Sequence, residues 1–311
     1  MITTVEQKER LTGGRFRDRC CDHDFEPGRS IPAKARESFI VYCKTDWVGY
    51  CLQQMRRNTT TYYILVTHGS DIGVDEQMFR QAPPNVIRWY GMNVLFDHPR
   101  LVSIPIGSAG STWIGLEEHA DLRDEHDFIV MPETGIEKNF KNLVYMNFGA
   151  HTNPDHRRPI YDHFKDKSWV TSRTCDMSLA EYNNSDSFVS IADYYDELYN
   201  HKYVISPLGN GVDCGRNWQA LYVGTIPIIP RHLNIEFYQD LPFLVYDDVE
   251  ELTEDYLLEQ YVRIKSTKTN LEKATVSYWR RELQSAKLAT VNDTHWMISG
   301  ALENDDIPPL K

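Results

Sequence analysis

The sequence has 311 residues, of which 41% are hydrophobic and 12% aromatic, a composition typical of a globular protein with room for two domains of about 150 residues. The formal net charge of −12, without long basic clusters, argues against a nucleic-acid surface, so no nucleic acid is expected as a partner. No apolar run is long enough for a membrane span, and residues 1–20 are too polar for a signal peptide, so we expect a cytoplasmic protein. The six cysteines lack zinc spacing and are predicted to be free thiols.

The first part of the chain alternates predicted strands with helices. Short apolar runs typical of buried strands occur at residues 39–44, 62–67, 86–89 and 101–106. Residues 46–57 are predicted to form a helix. Its buried side is expected to carry Trp47, Tyr50, Cys51 and Met55.

Two polar motifs in this part are candidates for chemistry. Asp22, His23 and Asp24 have the Asp-x-Asp form that metal-dependent transferases use for a nucleotide-bound ion, but their polar neighbours predict a solvated loop. His68 and Asp71 follow a buried strand, and ligands in open α/β sheets meet the loops at the carboxyl ends of strands. We therefore consider Asp71 first, and His68 second, as a catalytic general base. The alternative is a turn in which Asp71 caps a helix.

The acidic stretch at residues 117–138 interrupts this alternation, and we place a domain boundary near its end. A second series then begins with a predicted strand at residues 143–147, followed by a polar loop and a helix that starts near Arg157 and Arg158. A further strand at residues 169–172 ends at Arg173, and a short helix is predicted at residues 193–199.

Residues 202–231 form the most informative stretch. A buried strand is predicted at residues 202–206, then a tight loop with Gly209 and Gly211, then a helix that Asp213 caps and Gly224 ends, then a strand at residues 225–229. Free N–H groups and the helix dipole attract an anion, and Arg216 in the first turn adds a guanidinium that can donate two parallel hydrogen bonds to it. The pattern predicts a phosphate or nucleotide site. The alternative is an ordinary turn whose glycines serve geometry alone.

The same glycines superficially match a dinucleotide-binding fingerprint. That fingerprint requires an acidic residue at the end of the next strand to hold the ribose, whereas this strand ends with Pro230 and Arg231. A dehydrogenase is therefore disfavoured. An NADP-dependent oxidoreductase, with Arg231 on the 2′-phosphate, stays open as an alternative.

The run SPLGNGVDCGRNWQALYVGTIPIIP, residues 206–230, resembles the donor-binding segment of exostosin-like glycosyltransferases. One departure is Gln219, where the family usually has a glutamate that is expected to help hold the donor ribose or nearby groups. The resemblance implies an α/β protein of the GT-B fold, with two Rossmann-like domains facing a cleft. Residues 1–138 would bind the acceptor, residues 139–268 would bind the nucleotide sugar, and residues 269–311 would form a terminal helix that crosses back, followed by a tail.

The resemblance also assigns site residues. The expected donor-binding residues are Asn153, Arg157, Arg158, Arg173, Ser206, Pro207, Gly209, Asn210, Gly211, Asp213, Arg216 and Gln219. Of the two adjacent arginines, one is expected to touch the donor phosphates and the other to face solvent. The expected acceptor-binding residues are Asn93, Gly107, Trp113 and His151. The Trp113 ring would suit the C–H face of a sugar, although packing in the core or a lid is an equal alternative.

These expectations together describe an inverting glycosyltransferase that needs neither a metal nor another cofactor. Its partners would be a UDP-sugar donor and a glycan acceptor, and we expect UDP-xylose because the chain is similar to virus-encoded xylosyltransferases, which would place it in the host cytoplasm. Galactose, glucuronic acid and other sugars stay open, as does a membrane anchor outside this sequence. The further alternative is a catalytically inactive sugar-nucleotide-binding protein.

Overall fold

The computed structural model describes residues 9–108, 142–173, 191–267 and 269–292. This part of the chain forms two compact units. The first unit comprises residues 11–106 and 275–292, and the second comprises residues 9–10, 107–108, 142–173, 191–267 and 269–274. The boundary predicted near residue 138 and the candidate residue Trp113 lie outside the described residues.

In the described ranges the chain forms strands and α-helices in alternation. The strands are β1 (His23–Phe25), β2 (Ser38–Lys44), β3 (Tyr62–His68), β4 (Val86–Gly91), β5 (Leu101–Ser103), β6 (Asn142–Asn147), β7 (Val170–Arg173), β8 (His201–Ile205), β9 (Ile226–Pro230) and β10 (Leu244–Tyr246). The helices are α1 (Gly13–Cys20), α2 (Val48–Arg57), α3 (Glu76–Phe79), α4 (Pro154–Phe164), α5 (Ile191–Asn200), α6 (Gly215–Val223), α7 (Glu254–Ser266) and α8 (Val276–Asn292). The predicted strands are confirmed, with ends that differ by a few residues.

The first unit is built on a parallel five-stranded sheet whose strands lie side by side in chain order, from β1 to β5. Strand β3 is buried along its whole length after Tyr62, as expected for a parallel strand covered on both faces. Helix α8 packs against α1, β2 and β3. Its buried side chains include Val276, Trp279 and Leu283.

Two local predictions for the first unit were wrong. Residues 22–24 do not form a solvated loop, because His23 and Asp24 lie in β1 and pair with β2, while the Asp22 carboxylate accepts a hydrogen bond from the Ile40 amide at 2.8 Å. Tyr50 is 63% exposed, so it does not share the buried side of α2 with Cys51. The helix begins at Val48 after a 3₁₀ turn, which rotates Tyr50 away from the core.

The second unit contains another parallel five-stranded sheet, in the order β7-β6-β8-β9-β10. Buried apolar side chains of β6, β8 and β9 form its core with α7, which Thr253 caps. A smaller apolar cluster joins β6 and β8 to α5 and α6 on the sheet. None of the helices in the described ranges is long and apolar enough to cross a membrane.

Candidate functional site

The candidate site lies at the point where the order of the strands in the second sheet reverses. The chain passes from β6 to β7 on one side of β6, and then continues with β8 on the other side of β6. The loops that leave the carboxyl ends of β6 and β8 therefore start side by side and lead towards opposite edges of the sheet. This topological switch point is where open α/β sheets bind their ligands.

Two side chains from α4 and its N-terminus join these loops. The Asn153 side-chain amide donates a hydrogen bond to the Gly209 carbonyl at 2.9 Å. Arg157 is only 6% exposed, and it donates from Nε to the Leu208 carbonyl at 2.7 Å and from Nη1 to the Gly149 carbonyl at 2.9 Å. Its guanidinium also lies 5.7 Å from the Phe148 ring. Arg157 thus connects the loop after β6 to the loop after β8.

Gly209 is required where the Arg157 side chain passes. A Cβ atom at Gly209 would lie 3.0 Å from Nη2 of Arg157, closer than ordinary van der Waals contact. The Gly209 amide donates to the Gly211 carbonyl at 3.1 Å. This N–H is therefore used inside the loop, which corrects the prediction that it faces a phosphate. The glycine serves the close approach of the arginine instead.

The start of α6 differs from the prediction. Asp213 does not cap the helix, because Cys214 is the N-cap residue and its side chain makes no capping hydrogen bond. The buried Asp213 carboxylate instead accepts from the Cys214 amide at 2.8 Å, from Asn217 at 3.1 Å and from the Trp218 indole at 2.9 Å. These bonds fix Trp218 in the core. Gly224 ends the helix in the left-handed conformation, as predicted.

Arg216 lies in the first turn of α6, beside the end of β8. Its Nη1 is 3.5 Å from Ser206 Oγ and 3.5 Å from Cys214 Sγ, which are weak contacts for a guanidinium. The guanidinium thus lies near the N-terminal, positive end of the α6 dipole. The charge of Arg216 also acts on the Tyr194 hydroxyl, but burial outweighs it and raises the pKa of Tyr194 far above its ordinary value.

The other predicted donor residues differ in their exposure to solvent. Ser206 and Pro207 are buried at the end of β8, and Asn210 is exposed in the loop. Arg158 is exposed, with its guanidinium 5.9 Å from the Tyr161 ring, whereas Arg173 forms an ion pair with Glu197 at 2.7 Å. Gly211 and Gln219 are half-buried. Of the two adjacent arginines, Arg158 is the one that faces solvent.

His68 of the first unit is a core residue. It is 3% exposed, its Nδ1 accepts from the Gly69 amide at 2.7 Å, and its Nε2 lies 3.2 Å from the Pro105 carbonyl. This pairing requires the neutral tautomer with the proton on Nε2. Burial lowers the pKa of His68 to about 4. Both ring nitrogens are thus engaged, and this geometry favours a positioning role over proton transfer.

The remaining candidates of the first part lie on loops after the strands. Asp71 is exposed after β3 and caps no helix, since Asp75 is the N-cap of α3. Asn93 is buried after β4 in the left-handed conformation, with φ of 55°, and its carbonyl accepts from the Val74 amide. Gly107, assigned to the second unit, has φ of 73°.

His151, an expected acceptor-binding residue, belongs to the second unit. It lies on the 3₁₀ turn Ala150–Thr152 after β6. A Cβ atom at Gly149 would come within 2.6 Å of its ring, so the imidazole covers the Gly149 backbone. Gly149 is also the residue whose carbonyl Arg157 holds. The structure therefore places His151 beside the predicted donor residues.

Sequence reasoning missed the tyrosines that contact Gln219 and Asn147. The Tyr194 hydroxyl donates to Gln219 Oε1 at 3.0 Å, and the Asn147 side-chain amide donates to the Tyr145 hydroxyl at 2.9 Å. Asn147 carried a signal, because it is a polar residue at the end of a predicted strand. No sequence pattern marked Tyr194, because its contact with α6 depends on how α5 packs against α6.

Comparison with known proteins adds a distant structural likeness. No protein-family model matches the chain, and no curated protein matches it. A solved structure titled "Crystal structure of GtfA/B complex" matches with 10% identity and a TM-score of 0.39 over 84% of this chain. The chain spans 58% of the length of that match. The described residues define an α/β protein with two parallel five-stranded sheets and a topological switch point in the second sheet.

Proposed function

We propose that this protein is a glycosyltransferase that binds a nucleoside diphosphate sugar in the second unit and moves the sugar to a hydroxyl group of a glycan acceptor. The observation that carries the proposal is the meeting of two loops at the switch point, with Arg157 between them and Arg216 at the adjoining helix start. A diphosphate offers only acceptor oxygens and negative charge, so it suits this arrangement of donors.

The resemblance of residues 206–230 to an exostosin-like donor segment supports a sugar nucleotide over other diphosphates. We further propose the GT-B architecture that this resemblance implies, and UDP-xylose as the donor. The acceptor class, a glycan, rests on the same resemblance. A transfer of this kind proceeds by proton removal from the acceptor and charge stabilisation on the leaving group.

Asp71 is our candidate for the general base. It is exposed at the carboxyl end of β3, where an acceptor hydroxyl can reach it, whereas His68 is buried with both ring nitrogens engaged. The carboxylate takes the hydroxyl proton while the oxygen attacks the anomeric carbon and the bond to the diphosphate breaks. Attack on the face opposite the leaving group inverts the configuration.

The leaving diphosphate gains negative charge in this step. The Arg216 guanidinium and the N-terminal end of α6 are placed to stabilise that charge, and Arg157 holds the neighbouring loop in position. Since these groups supply the stabilisation, we propose that the reaction requires no metal ion. Activity retained in excess EDTA would agree with this proposal, and activity lost in EDTA and restored by Mg²⁺ or Mn²⁺ would contradict it.

An NADP-dependent oxidoreductase is a weaker alternative. It would bind the 2′-phosphate with Arg231, but the Asp247 carboxylate already pairs with that guanidinium at 2.7 Å and 3.1 Å. A second negative group at the same place would be repelled unless the pair separates. This ion pair makes an oxidoreductase a weaker candidate function than a glycosyltransferase.

Ligand binding and product release test the proposal. A thermal-shift series with UDP, UDP-xylose, UDP-galactose, UDP-glucuronic acid and NADPH measures which compound raises the melting temperature. We expect a UDP-sugar to do so, and we expect UDP release when glycan acceptors are added. A shift with NADPH alone would reject the transferase. Binding of a UDP-sugar without turnover on any acceptor would indicate an inactive binding protein.

A further inference from the structure

Two loops at the carboxyl edge of the first sheet carry exposed apolar side chains. Ile72, in the loop after β3, is 45% exposed, and Leu95, in the loop after β4, is 50% exposed. Strands β3 and β4 are parallel neighbours in the sheet, so their loops leave it side by side. A single apolar side chain on a surface needs no explanation, whereas adjacent ones at an edge where ligands bind indicate the chemistry of the ligand.

The backbone that carries these two side chains is fixed. Val74 and Val94 form a parallel bridge between the loops, and both are buried. The Leu95 amide donates to the Val74 carbonyl at 3.0 Å. A Cβ atom at Gly73 would lie 2.7 Å from Leu95 Cδ1, so Leu95 packs over the backbone of the residue that follows Ile72. Ile72 and Leu95 thus form a small apolar surface, which we call the apolar shelf.

The apolar shelf adjoins the candidate general base. Asp71 immediately precedes Ile72 and is exposed. The Ser70 side chain fixes this part of the loop, because its Oγ accepts from the Ile72 amide at 3.2 Å and its hydroxyl donates to the Asp46 carboxylate after β2. A substrate hydroxyl that reaches Asp71 therefore brings the group attached beside it towards the shelf.

The chemistry of the shelf selects its occupant. Ile72 and Leu95 offer branched aliphatic groups and no hydrogen-bond partner. A sugar ring is surrounded by hydroxyl groups that would lose hydrogen bonds to water on such a surface, whereas an alkyl chain or an aryl ring loses none. A second protein is a poor match, because a stable interface buries about 800 Å² on each partner and two half-exposed side chains offer a small part of that area. The occupant that fits is a small apolar group.

We propose that the apolar shelf binds the aglycone of the acceptor, which makes the acceptor an alkyl or aryl glycoside rather than a free sugar. This inference rests on the proposed function, since it takes Asp71 to be the base that removes the acceptor proton. The sugar of the glycoside presents its hydroxyl to the carboxylate, and the aglycone lies on Ile72 and Leu95. These two residues touch no reacting atom, so they determine specificity and take no part in the chemical step.

Paired glycosides of one sugar test this proposal. The wild-type protein and its UDP-sugar are given the methyl or the phenyl β-glycoside of glucose, galactose, mannose or xylose, and UDP release is measured. We expect kcat/KM to be roughly fivefold to tenfold higher for the phenyl glycoside, since covering about 60 Å² of apolar surface is worth about tenfold in affinity. Equal values of kcat/KM for the phenyl and methyl glycosides would overturn the proposal.

Leu95→Ser and Leu288→Ser make the same chemical change at two exposed positions of the first unit, so neither should unfold it. Next to Leu288 on α8, Lys287 donates to Asp22 at 2.7 Å and lies 5.9 Å from the Phe39 ring. Leu288 is therefore near the start of β2, at the opposite edge of the sheet. We expect Leu95→Ser to reduce the ratio of kcat/KM for phenyl over methyl glycoside to below about twofold, and Leu288→Ser to keep the wild-type ratio. The same ratio in both variants would contradict the assignment of Leu95 to the shelf.

A binding measurement separates this inference from the proposed function. The methyl signals of Ile72, Leu95 and Leu288 are followed by NMR while the phenyl glycoside is added, with and without UDP, and we expect only those of Ile72 and Leu95 to shift. If UDP is released from a UDP-sugar but these signals stay unchanged, only the inference about the shelf is wrong. If they shift while no UDP-sugar binds or reacts, the proposed function is wrong and the shelf remains a site for aryl glycosides. Equal shifts of all three residues would show non-specific binding and overturn the shelf.

Discussion

Arg157 offers the sharpest test of the site's construction. Methionine at this position keeps an unbranched apolar side chain of similar length and removes the guanidinium. The change deletes the hydrogen bonds to the Leu208 and Gly149 carbonyls, at 2.7 Å and 2.9 Å, and the contact with the Phe148 ring at 5.7 Å. The two loops of the switch point then keep the Asn153 hydrogen bond to Gly209 and lose the contacts of the Arg157 guanidinium.

The size of the effect follows from these contacts. Each hydrogen bond from a charged donor contributes about 1.5–3 kcal/mol net. Because the contacts share one side chain and are not additive, we expect Arg157→Met to lower the free energy of unfolding by about 3 kcal/mol. For a unit of this size, about 1 kcal/mol corresponds to 2–4 °C, so the melting temperature should fall by roughly 6–12 °C.

Arg158→Met is the matched control, because it makes the same chemical change one residue further along α4. Arg158 is exposed and its guanidinium lies 5.9 Å from the Tyr161 ring, a contact worth about 0.5–1 kcal/mol. The melting temperature of the Arg158→Met variant should therefore fall by less than about 4 °C. Differential scanning calorimetry measures both variants. Equal melting temperatures for the two variants would refute the assignment of Arg157 as the connection between the loops.

Three further results are expected. Gly209→Ala should weaken UDP binding by roughly 3-fold to 10-fold, because the new Cβ would lie 3.0 Å from Arg157 Nη2 and would displace the guanidinium. Unchanged UDP binding by titration calorimetry would count against this close contact. The pKa of His68 is about 4 in the folded protein and about 6.5 in the unfolded chain. Between these pH values the unfolded chain binds one more proton than the folded protein, so the free energy of unfolding falls by up to about 3 kcal/mol as the pH falls from about 6.5 to 4. His68→Gln should flatten that dependence in urea melts, and a profile identical to wild type would contradict it. Asp71→Ala should keep UDP binding and lower kcat by at least roughly 100-fold, and full turnover would remove Asp71 as the base.

Much of the fold was readable from local pattern. The parallel strands are short and nearly all apolar, and this pattern arises because both faces of such a sheet are covered. A helix end was predictable where one residue decides it, as with Gly224. Asp213 shows the limit: a good capping residue was available, but the Trp218 indole and the Asn217 amide compete for its carboxylate.

The site residues divide in the same way. The loop at residues 206–213 and the arginine that follows it could be located because glycines before a helix start are a local signal. The function of each side chain could not be assigned from this signal. Arg157 and Leu208 are 51 residues apart, which is too far for a local sequence motif to include both. His68 contacts the Pro105 carbonyl, which is 37 residues further along the chain.

Local sequence patterns therefore sufficed for the α/β class, for most of the strands and for the stretch where an anion is expected, since strand burial, helix ends and glycine turns are encoded by neighbouring residues. Only the tertiary structure decided that β8 lies beside β6, so that two loops meet at a switch point, and that the Tyr194 hydroxyl donates to Gln219. The reason is physical. The direction of a hydrogen bond depends on which groups the packed helices and strands bring within about 3 Å, and no local pattern contains that information.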